Sequence, residues 1–413
     1  MREYKDKFLS EKDLINLCQE ALRKKDFQGK RVLIIIPDTT RTGPTGLFFK
    51  TICEELSKKA KKLDFIIALG THPIMGEEKV NKHLRITFEE RKTKYKNVNI
   101  FQHHWDRLGD LTCIGTISGK EIRKISKGLM GEEIPVYINK KIFDYDELVI
   151  VGPVFPHEAV GFSGGYKYLF PGVAGPRIIH KFHWLGALIT NPKINGVKDT
   201  PVRKVIDKAA SFIDIPITML CFVIKGEKIC GFYAGGRKAW SKACDLSSQV
   251  NIKYVDRSFH TVLSVAPEMY EDIWTAGKCM YKLEPVVEDG GTLIIYAPHI
   301  REISYTHGRY LEKIGYHTRD YFLKQMDKFK GISGAVLAHS TLVRGIGTYK
   351  NGKEVPRINV VLATSIPKEK CKKINLGYTD PARINIKNYA EKEDKGILLV
   401  KKAGEVLYRL SNR

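Results

Sequence analysis

Residues 30–72 constrain the fold more than any other part of the chain. They read RVLIIIPD, then a segment with helical periodicity, then LDFIIALGTH. An uninterrupted apolar run is typical of a strand buried in a parallel sheet, and two such runs joined by a helix form a βαβ unit. The sequence therefore predicts an α/β fold that begins with a parallel sheet.

Polar side chains follow the predicted strands of this region. Those at the strand ends are Asp38, Arg41, His72, the pair His103 and His104, and His157. In open α/β sheets, ligands bind at the carboxyl ends of the strands. Arg41 and His72 are thus candidate site residues by position, and we expect several strand ends to bring polar groups to one edge of the sheet.

The second half of the chain repeats the strand and helix pattern from about residue 260. Since 413 residues exceed the size at which one hydrophobic core keeps growing, we predict two domains. We expect two α/β domains with largely parallel sheets and an active site in the cleft between them. Residues 1–255 would form an amino-terminal cofactor-binding domain, residues 256–395 a carboxyl-terminal domain, and residues 396–413 a segment returning to either. We also predict one helix over residues 76–94 and a strand over residues 333–340.

The charge and cysteine patterns limit the function classes. The net charge is +23, but lysines and arginines are mixed with acidic residues along the whole chain. This favours a surface that attracts anionic small molecules over a nucleic-acid-binding protein, which remains an alternative. The eight cysteines form no Cys-x-x-Cys motif, and no apolar run is long enough to span a bilayer. We expect a soluble cytoplasmic protein with no membrane partner.

Residues 151–184 carry the groups best suited to chemistry. His157, Lys167 and His183 supply a proton-transfer group, a nucleophilic amine and a possible metal ligand. Gly164 and Gly165 add backbone freedom shortly before the lysine, from which Tyr166 separates them. The Gly-Gly pair does not continue into the Gly-Lys-Ser/Thr of a phosphate loop. We interpret this stretch as the centre of an active site.

Each of these residues also has a purely structural explanation. Lys167 would then be an exposed lysine after a turn, and His72 and His157 would brace loops. His183 would be a core histidine, while His180, three residues earlier, could share a metal with it. A zinc-dependent hydrolase using the same histidines is therefore a second enzyme hypothesis.

Taken together, these residues resemble the lactate racemase family of nickel-pincer nucleotide enzymes over nearly the whole chain. The matching pieces are DTTR at 38–41, GTH at 70–72, the block at 157–172, His183 and Lys278. The intervals of ten residues from His157 to Lys167 and sixteen from Lys167 to His183 match the family's spacing.

The resemblance implies a cofactor and its attachment. Lys167 would be joined through a thioamide to a pyridinium mononucleotide that carries thio groups, beside Gly164 and Gly165. His183 would be the protein ligand of its nickel ion. Because the family relies on separate enzymes to make this nickel-pincer nucleotide, cofactor-biosynthesis enzymes are expected partners.

The resemblance also implies roles around the substrate. His72 and His157 would be the two proton-transfer groups of a 2-hydroxy acid racemase or epimerase. Arg41 and Lys278 would hold the substrate carboxylate, and Asp38 would orient Arg41 or a neighbour.

Two departures from the lactate enzyme suggest a different substrate. Thr275 stands where that enzyme has a glutamine, and the last tryptophan here is Trp274, so a bulky wall of its second domain lacks a counterpart. Several polar residues of the predicted second domain could contact a longer acid: Tyr305, His307, Arg309, His339 and Ser340. We predict a 2-hydroxy acid larger than lactate, such as the sugar acid gluconate, with malate-like acids as the next choice.

Overall fold

The structure is a computed structural model that describes residues 8–411. The strands are β1 (Arg31–Ile36), β2 (Lys62–Ile67), β3 (Ile100–Gln102), β4 (Leu111–Ile117), β5 (Ile134–Asn139), β6 (Glu147–Pro153), β7 (Pro156–His157), β8 (Gly161–Phe162), β9 (Ile217–Lys225), β10 (Lys228–Gly235), β11 (Ile252–Val255), β12 (Phe259–Val265), β13 (Val287–Ala297), β14 (Gly347–Lys350), β15 (Lys353–Pro356), β16 (Asn359–Thr364), β17 (Gly377–Tyr378), β18 (Ile397–Val400) and β19 (Leu407–Leu410). The α-helices are α1 (Glu11–Arg23), α2 (Thr45–Leu56), α3 (Glu77–Leu84), α4 (Phe88–Lys92), α5 (Gly119–Ile125), α6 (Pro176–Ile189), α7 (Asn191–Ile194), α8 (Pro201–Ala210), α9 (Arg237–Asn251), α10 (Ile273–Ala276), α11 (Lys278–Tyr281), α12 (Gly308–Ile314), α13 (Arg319–Leu323), α14 (Gly334–Arg344) and α15 (Lys368–Lys373).

The described residues form two compact units. The first unit contains the chain up to Phe155, Phe162–Ile179 and Arg203–Val250. The second unit contains Pro156–Gly161, His180–Val202 and the chain from Asn251 onward. Both contain sheets of parallel strands with helices, so the predicted α/β class with largely parallel sheets is confirmed.

The first unit is built on a six-stranded sheet with the order β10-β9-β6-β1-β2-β3. The predicted βαβ unit is present, since β1 and β2 pair in parallel with Ile34 opposite Phe65. Every residue of β1 after Arg31 is fully buried, which explains the continuous apolar run. β6 and β9 extend the parallel sheet, and β10 closes it as the antiparallel arm of a hairpin.

Parallel pairing brings the carboxyl ends of the central strands to one edge of this sheet. The loops after β1 and β2 begin at neighbouring positions because Ile36 is paired with Ile67. The segment after β3 is tied to the same edge by the hydrogen bond from the His103 amide to the Ile67 carbonyl, at 3.2 Å. Asp38, His72 and His103 therefore follow adjacent strand ends, as the sequence predicts.

The second unit has its own parallel sheet with the order β17-β16-β13-β12-β18. In β12, Leu263 lies opposite Ile294 of β13 on one side and Leu399 of β18 on the other. A separate parallel pair joins β11 to β19, with Ile252 opposite Leu407. The described residues after 396 thus pair with strands of this unit.

Two local predictions are wrong. The single helix predicted over residues 76–94 is broken into α3 and α4, because Arg85 adopts a left-handed φ of 54° and Thr87 begins a new helix with a capping box to Glu90. The strand predicted over residues 333–340 is α14, which Ser333 caps through its hydroxyl. Its apolar residues are buried on all sides, and a short buried helix has the same apolar pattern as a buried strand.

Within residues 8–411, no helix is both long and apolar enough to cross a bilayer.

Candidate active site

In the first unit, Asp38 and His72 form a hydrogen-bonded pair after β1 and β2. The Asp38 Oδ2 atom contacts the Nδ1 atom of His72, and its Oδ1 atom accepts hydrogen bonds from the hydroxyl (2.7 Å) and amide (3.1 Å) of Thr40. An ionised carboxylate only accepts hydrogen bonds, so it holds the imidazole proton on Nδ1. The Nε2 atom of His72 is then the nitrogen that can act as a base.

The electrostatics of this pair keep Asp38 ionised. Burial acts to raise the pKa of Asp38, which is 6% exposed, while the charge and hydrogen bond of His72 act to lower it. The Arg41 guanidinium and the Thr40 hydroxyl lower the pKa further, so it lies well below its usual range. Asp38 therefore remains a fixed negative charge through the neutral pH range.

Lys167 lies on a turn that packs beside the same strand ends. The turn is a 3₁₀ helix, Gly165–Tyr168, and the phenol ring of Tyr168 covers Gly152 at the end of β6, where a Cβ atom would collide with it. Lys167 is half-buried. Its carbonyl accepts the Gly172 amide at 3.2 Å, and the Gly172 carbonyl accepts the Gly70 amide at 2.9 Å. These bonds connect the lysine turn to the loop that carries His72.

Gly164 and Gly165 determine the shape of this turn. Both have positive φ angles, 79° and 58°, which favour glycine. A Cβ atom on Gly165 would lie 2.9 Å from the indole ring of Trp240, whose Nε1 atom donates to the Ser163 carbonyl at 2.8 Å. Sequence reasoning missed Trp240, because a single tryptophan in α9 has no local pattern that connects it to a turn more than seventy residues earlier.

His157 belongs to the second unit and is only 7% exposed. Its Nδ1 atom lies 3.2 Å from the amide nitrogen of Ala159 and 3.4 Å from the Oε2 atom of Glu158. The preceding carbonyl, of Pro156, accepts a hydrogen bond from the Nζ atom of Lys282, a side chain that is 2% exposed. The backbone next to His157 is therefore held by a buried lysine of the same unit.

His183 lies in the part of α6 that belongs to the second unit. Its half-buried ring is 4.4 Å from the ring of Phe182. One turn earlier, burial lowers the pKa of His180 to about 4. His180 is thus a neutral imidazole at pH 7.

Lys278 and Thr275 are placed by the short helices α10 and α11 of the second unit. The Nζ atom of Lys278 lies 4.6 Å from the ring centre of Tyr270, a cation–π distance. Asp272 caps α10 by accepting the Thr275 amide at 2.9 Å. Both predicted substrate-binding residues of this unit are therefore held at a helix start.

The chain is similar to known proteins over much of its length. Residues 11–195 match the family model described as the lactate racemase N-terminal domain. The chain is therefore similar to the lactate racemase family over its amino-terminal part. Among curated lactate racemases, that of Thermoanaerobacterium thermosaccharolyticum is 26% identical over 307 residues, and that of Lactiplantibacillus plantarum is 25% identical over 295. Each match covers 70% of this chain and just under two thirds of the relative, 66% and 65% respectively.

Solved structures extend the likeness to nearly the whole chain. A crystal structure of a protein from Thermotoga maritima has a TM-score of 0.90 at 33% identity, covering 98% of this chain and 99% of that one. The lactate racemase apoprotein from Thermoanaerobacterium thermosaccharolyticum has a TM-score of 0.69 at 20% identity, covering 97% and 93%. The second match shows that this chain has the lactate racemase fold.

In the second unit, Trp274 lies between two histidines. Its ring centre is 4.4 Å from that of His307 and 4.3 Å from that of His339, and the His339 Nε2 atom is 3.3 Å from the Tyr316 hydroxyl. We call Trp274, His307, His339 and Tyr316 the Trp274 cluster. Burial, followed by the nearby charges of His307 and His183, lowers the pKa of His339 to about 3. At neutral pH the cluster therefore offers an uncharged imidazole for hydrogen bonding.

Other histidines and polar residues noted in the sequence have structural roles. His103 is fully buried, and its Nε2 atom contacts the Ala174 carbonyl at 2.9 Å while Asn139 contacts its Nδ1 atom at 3.2 Å. Ser340 is also fully buried, donating to the Gly315 carbonyl and accepting the His317 amide. Within residues 8–411, no three His, Cys, Asp or Glu side chains are grouped so that they could hold a metal ion.

His103 should make the protein less stable in acid. Burial lowers the pKa of His103 from 6.5 to about 4, so the unfolded chain binds a proton below pH 6.5 that the folded chain binds only near pH 4. This contribution to stability is complete above pH 6.5 and is lost as the pH falls to 4. Between pH 7 and pH 4, the free energy of unfolding of the wild type should fall by about 3 kcal/mol more than that of His103→Gln. Urea denaturation at both pH values measures the difference, and equal losses would contradict it.

Proposed function

We propose that this chain is a racemase or 2-epimerase of a 2-hydroxy acid that uses a covalently bound nickel-pincer nucleotide. The Asp38–His72 pair is the observation that carries the proposal. A buried carboxylate that fixes the Nδ1 proton leaves Nε2 as a base for a substrate hydroxyl. Similarity to the lactate racemase family supports the reaction class.

The residue types suit a substrate with a carboxylate beside its hydroxyl carbon. The half-buried Arg41 guanidinium, whose charge reaches Asp38, can bind that carboxylate through two parallel hydrogen bonds. We assign a second positive charge at this carboxylate to Lys278. Removal of the α-hydrogen as a proton would place negative charge next to a carboxylate, so removal as a hydride, with His72 or His157 taking the hydroxyl proton, is the lower-energy route.

Lys167 and His183 are the residues that would hold the cofactor. Lys167 offers a half-buried amine on a turn whose backbone is fixed, and His183 offers a half-buried imidazole. One imidazole suits a nickel ion whose other donors are carbon and sulfur atoms of the cofactor. When bound, the cofactor would supply an electron-poor ring as the hydride acceptor.

The Trp274 cluster supports a substrate larger than lactate. The neutral imidazole of His339 and the hydroxyl of Tyr316 can donate hydrogen bonds to additional hydroxyl groups and accept hydrogen bonds from them, and lactate lacks such groups. Thr275 places a short side chain where the lactate enzyme has a glutamine. We therefore propose a sugar acid such as gluconate as the substrate class, with malate-like acids second.

The test is an isomerisation assay with loaded enzyme. The full chain is co-expressed with nickel-pincer biosynthesis enzymes and assayed in deuterated water with lactate, malate and gluconate. We expect inversion at C2 with retention of the substrate's own α-hydrogen, fastest on gluconate. Wash-out of that hydrogen would contradict hydride transfer, and fastest turnover of lactate would contradict the substrate class.

Bound zinc without a covalent adduct would favour the hydrolase hypothesis, and steeply salt-dependent DNA or RNA binding would favour a nucleic-acid-binding protein.

A further inference from the structure

Glu158 is a charged neighbour of a proposed catalytic histidine that has no role so far. Its side chain is 14% exposed and that of His157 is 9% exposed, with Oε2 and Nδ1 separated by 3.4 Å. We propose that Glu158 is a positioning residue that holds the proton of His157 on Nδ1, as Asp38 does for His72. The role of His157 as a proton-transfer group rests on the proposed function, whereas the effect of Glu158 on the imidazole does not.

A hydrogen-bond donor and a hydrogen-bond acceptor compete for the Nδ1 atom of His157. The Ala159 amide is a donor at 3.2 Å, and the Glu158 carboxylate is an acceptor at 3.4 Å. A neutral imidazole carries one proton. If Nδ1 accepts from Ala159, the proton is on Nε2 and that atom cannot take another from a hydroxyl. If Nδ1 donates to Glu158, Nε2 is a base.

The backbone on both sides of His157 is fixed by hydrogen bonds, so the two groups compete for Nδ1 without any movement of the segment. The backbone of Pro156–Gly161 is held by three hydrogen bonds within the second unit: Lys282 Nζ to the Pro156 carbonyl, Thr200 Oγ1 to the Val160 carbonyl (3.1 Å) and the Gly196 amide to the Gly161 carbonyl (2.9 Å). With the segment fixed at both ends, the choice of tautomer depends on the charge at position 158 and not on loop movement.

The Glu158 carboxylate also acts in a low-dielectric environment. Burial, followed by the charge of Glu158, raises the pKa of the Tyr281 phenol well above its usual range. The charged and titratable groups around the His157 segment thus include Glu158, Lys282 and Tyr281. Electrostatic effects are larger there than in water, so one carboxylate can outweigh one amide donor.

The direct test is ¹⁵N NMR of the full chain labelled at histidine, without cofactor or substrate. The His157 signals are assigned by their loss in His157→Gln. We expect protonated Nδ1 in the neutral wild-type imidazole and protonated Nε2 in Glu158→Gln. Glu288→Gln, an exposed carboxylate of the same unit, is the matched control and should leave the tautomer unchanged. The same tautomer in the wild type and in Glu158→Gln would overturn the proposal.

A kinetic measurement on the loaded enzyme adds a second readout. Glu158→Gln should lower kcat/KM at least about tenfold, the difference between a charge-assisted and a neutral hydrogen bond, and Glu158→Asp should recover part of the loss. Full activity of Glu158→Gln would overturn the positioning role. If the tautomer changes but the wild type inverts no 2-hydroxy acid, the proposed function fails while the effect of Glu158 on His157 stands.

Discussion

Lys167→Ala should lose all measurable isomerisation and, at the same time, the covalent mass adduct expected on the wild type. Lys167 is the residue proposed to hold the cofactor through a bond, so its removal eliminates the attachment as well as the reaction. Lys167→Arg should fail in the same way, because a guanidinium retains the charge but is a poor nucleophile at neutral pH. Intact-mass spectrometry of protein co-expressed with the biosynthesis enzymes, together with the C2 inversion assay, measures both losses.

Lys193→Ala is the control for this experiment. Lys193 has an exposed side chain in α7, so its removal should leave both the adduct and the rate unchanged. An adduct on Lys167→Ala would place the attachment on another residue. Activity without any adduct in the wild type would mean that the cofactor is not covalently bound.

Asp38→Asn should lower kcat by roughly 10⁴, although the cofactor adduct stays in place. The amide NH₂ of asparagine can donate to Nδ1 of His72, which moves the imidazole proton to Nε2 and removes the base. The same change in the Asp-His pair of serine proteases has an effect of about this size. Steady-state kinetics on the preferred acid and intact mass measure the two quantities. Asp26→Asn, an exposed aspartate of the same unit, is the control and should have wild-type kinetics.

The same substitution should change the pH dependence of stability. The pKa of Asp38 is held below its usual range, so its ionisation stabilises the folded state above about pH 4 and this contribution is lost as the pH falls further. The free energies of unfolding of the wild type and Asp38→Asn should therefore differ at pH 7 and approach each other below pH 4. A difference that stays constant from pH 7 to pH 3 would show that Asp38 stabilises the fold by packing and not by charge.

The sequence predicted best where local pattern and fold agree. The buried runs of β1 and β2 leave a parallel βαβ unit as the simplest arrangement, and that arrangement places Asp38 beside His72. Prediction is less accurate for short apolar runs, because a buried helix such as α14 has the same apolar pattern as a buried strand.

The parts of the structure that the sequence does not predict depend on contacts between residues far apart in the chain. The placement of Trp274 between His307 and His339 requires α10 and α14 to pack within one unit, which no spacing rule encodes. Pro156–Gly161 and His180–Val202 fold with the second unit although the chain around them belongs to the first. The spacing of hydrophobic residues does not indicate where the chain passes from one unit to the other. Glu158, however, could have been noticed as an acidic residue directly after a candidate histidine.

The indole of Trp240 has a consequence for how the protein would acquire its cofactor. Its ring occupies the space that a side chain at Gly165 would need, and its Nε1 atom donates a hydrogen bond to the Ser163 carbonyl. The conformational entropy of the turn that carries Lys167 is thus lost when the protein folds and not when the cofactor is attached. An incoming thiolated nucleotide would meet a preorganised amine, so the apoprotein should already have the conformation that the loading step needs.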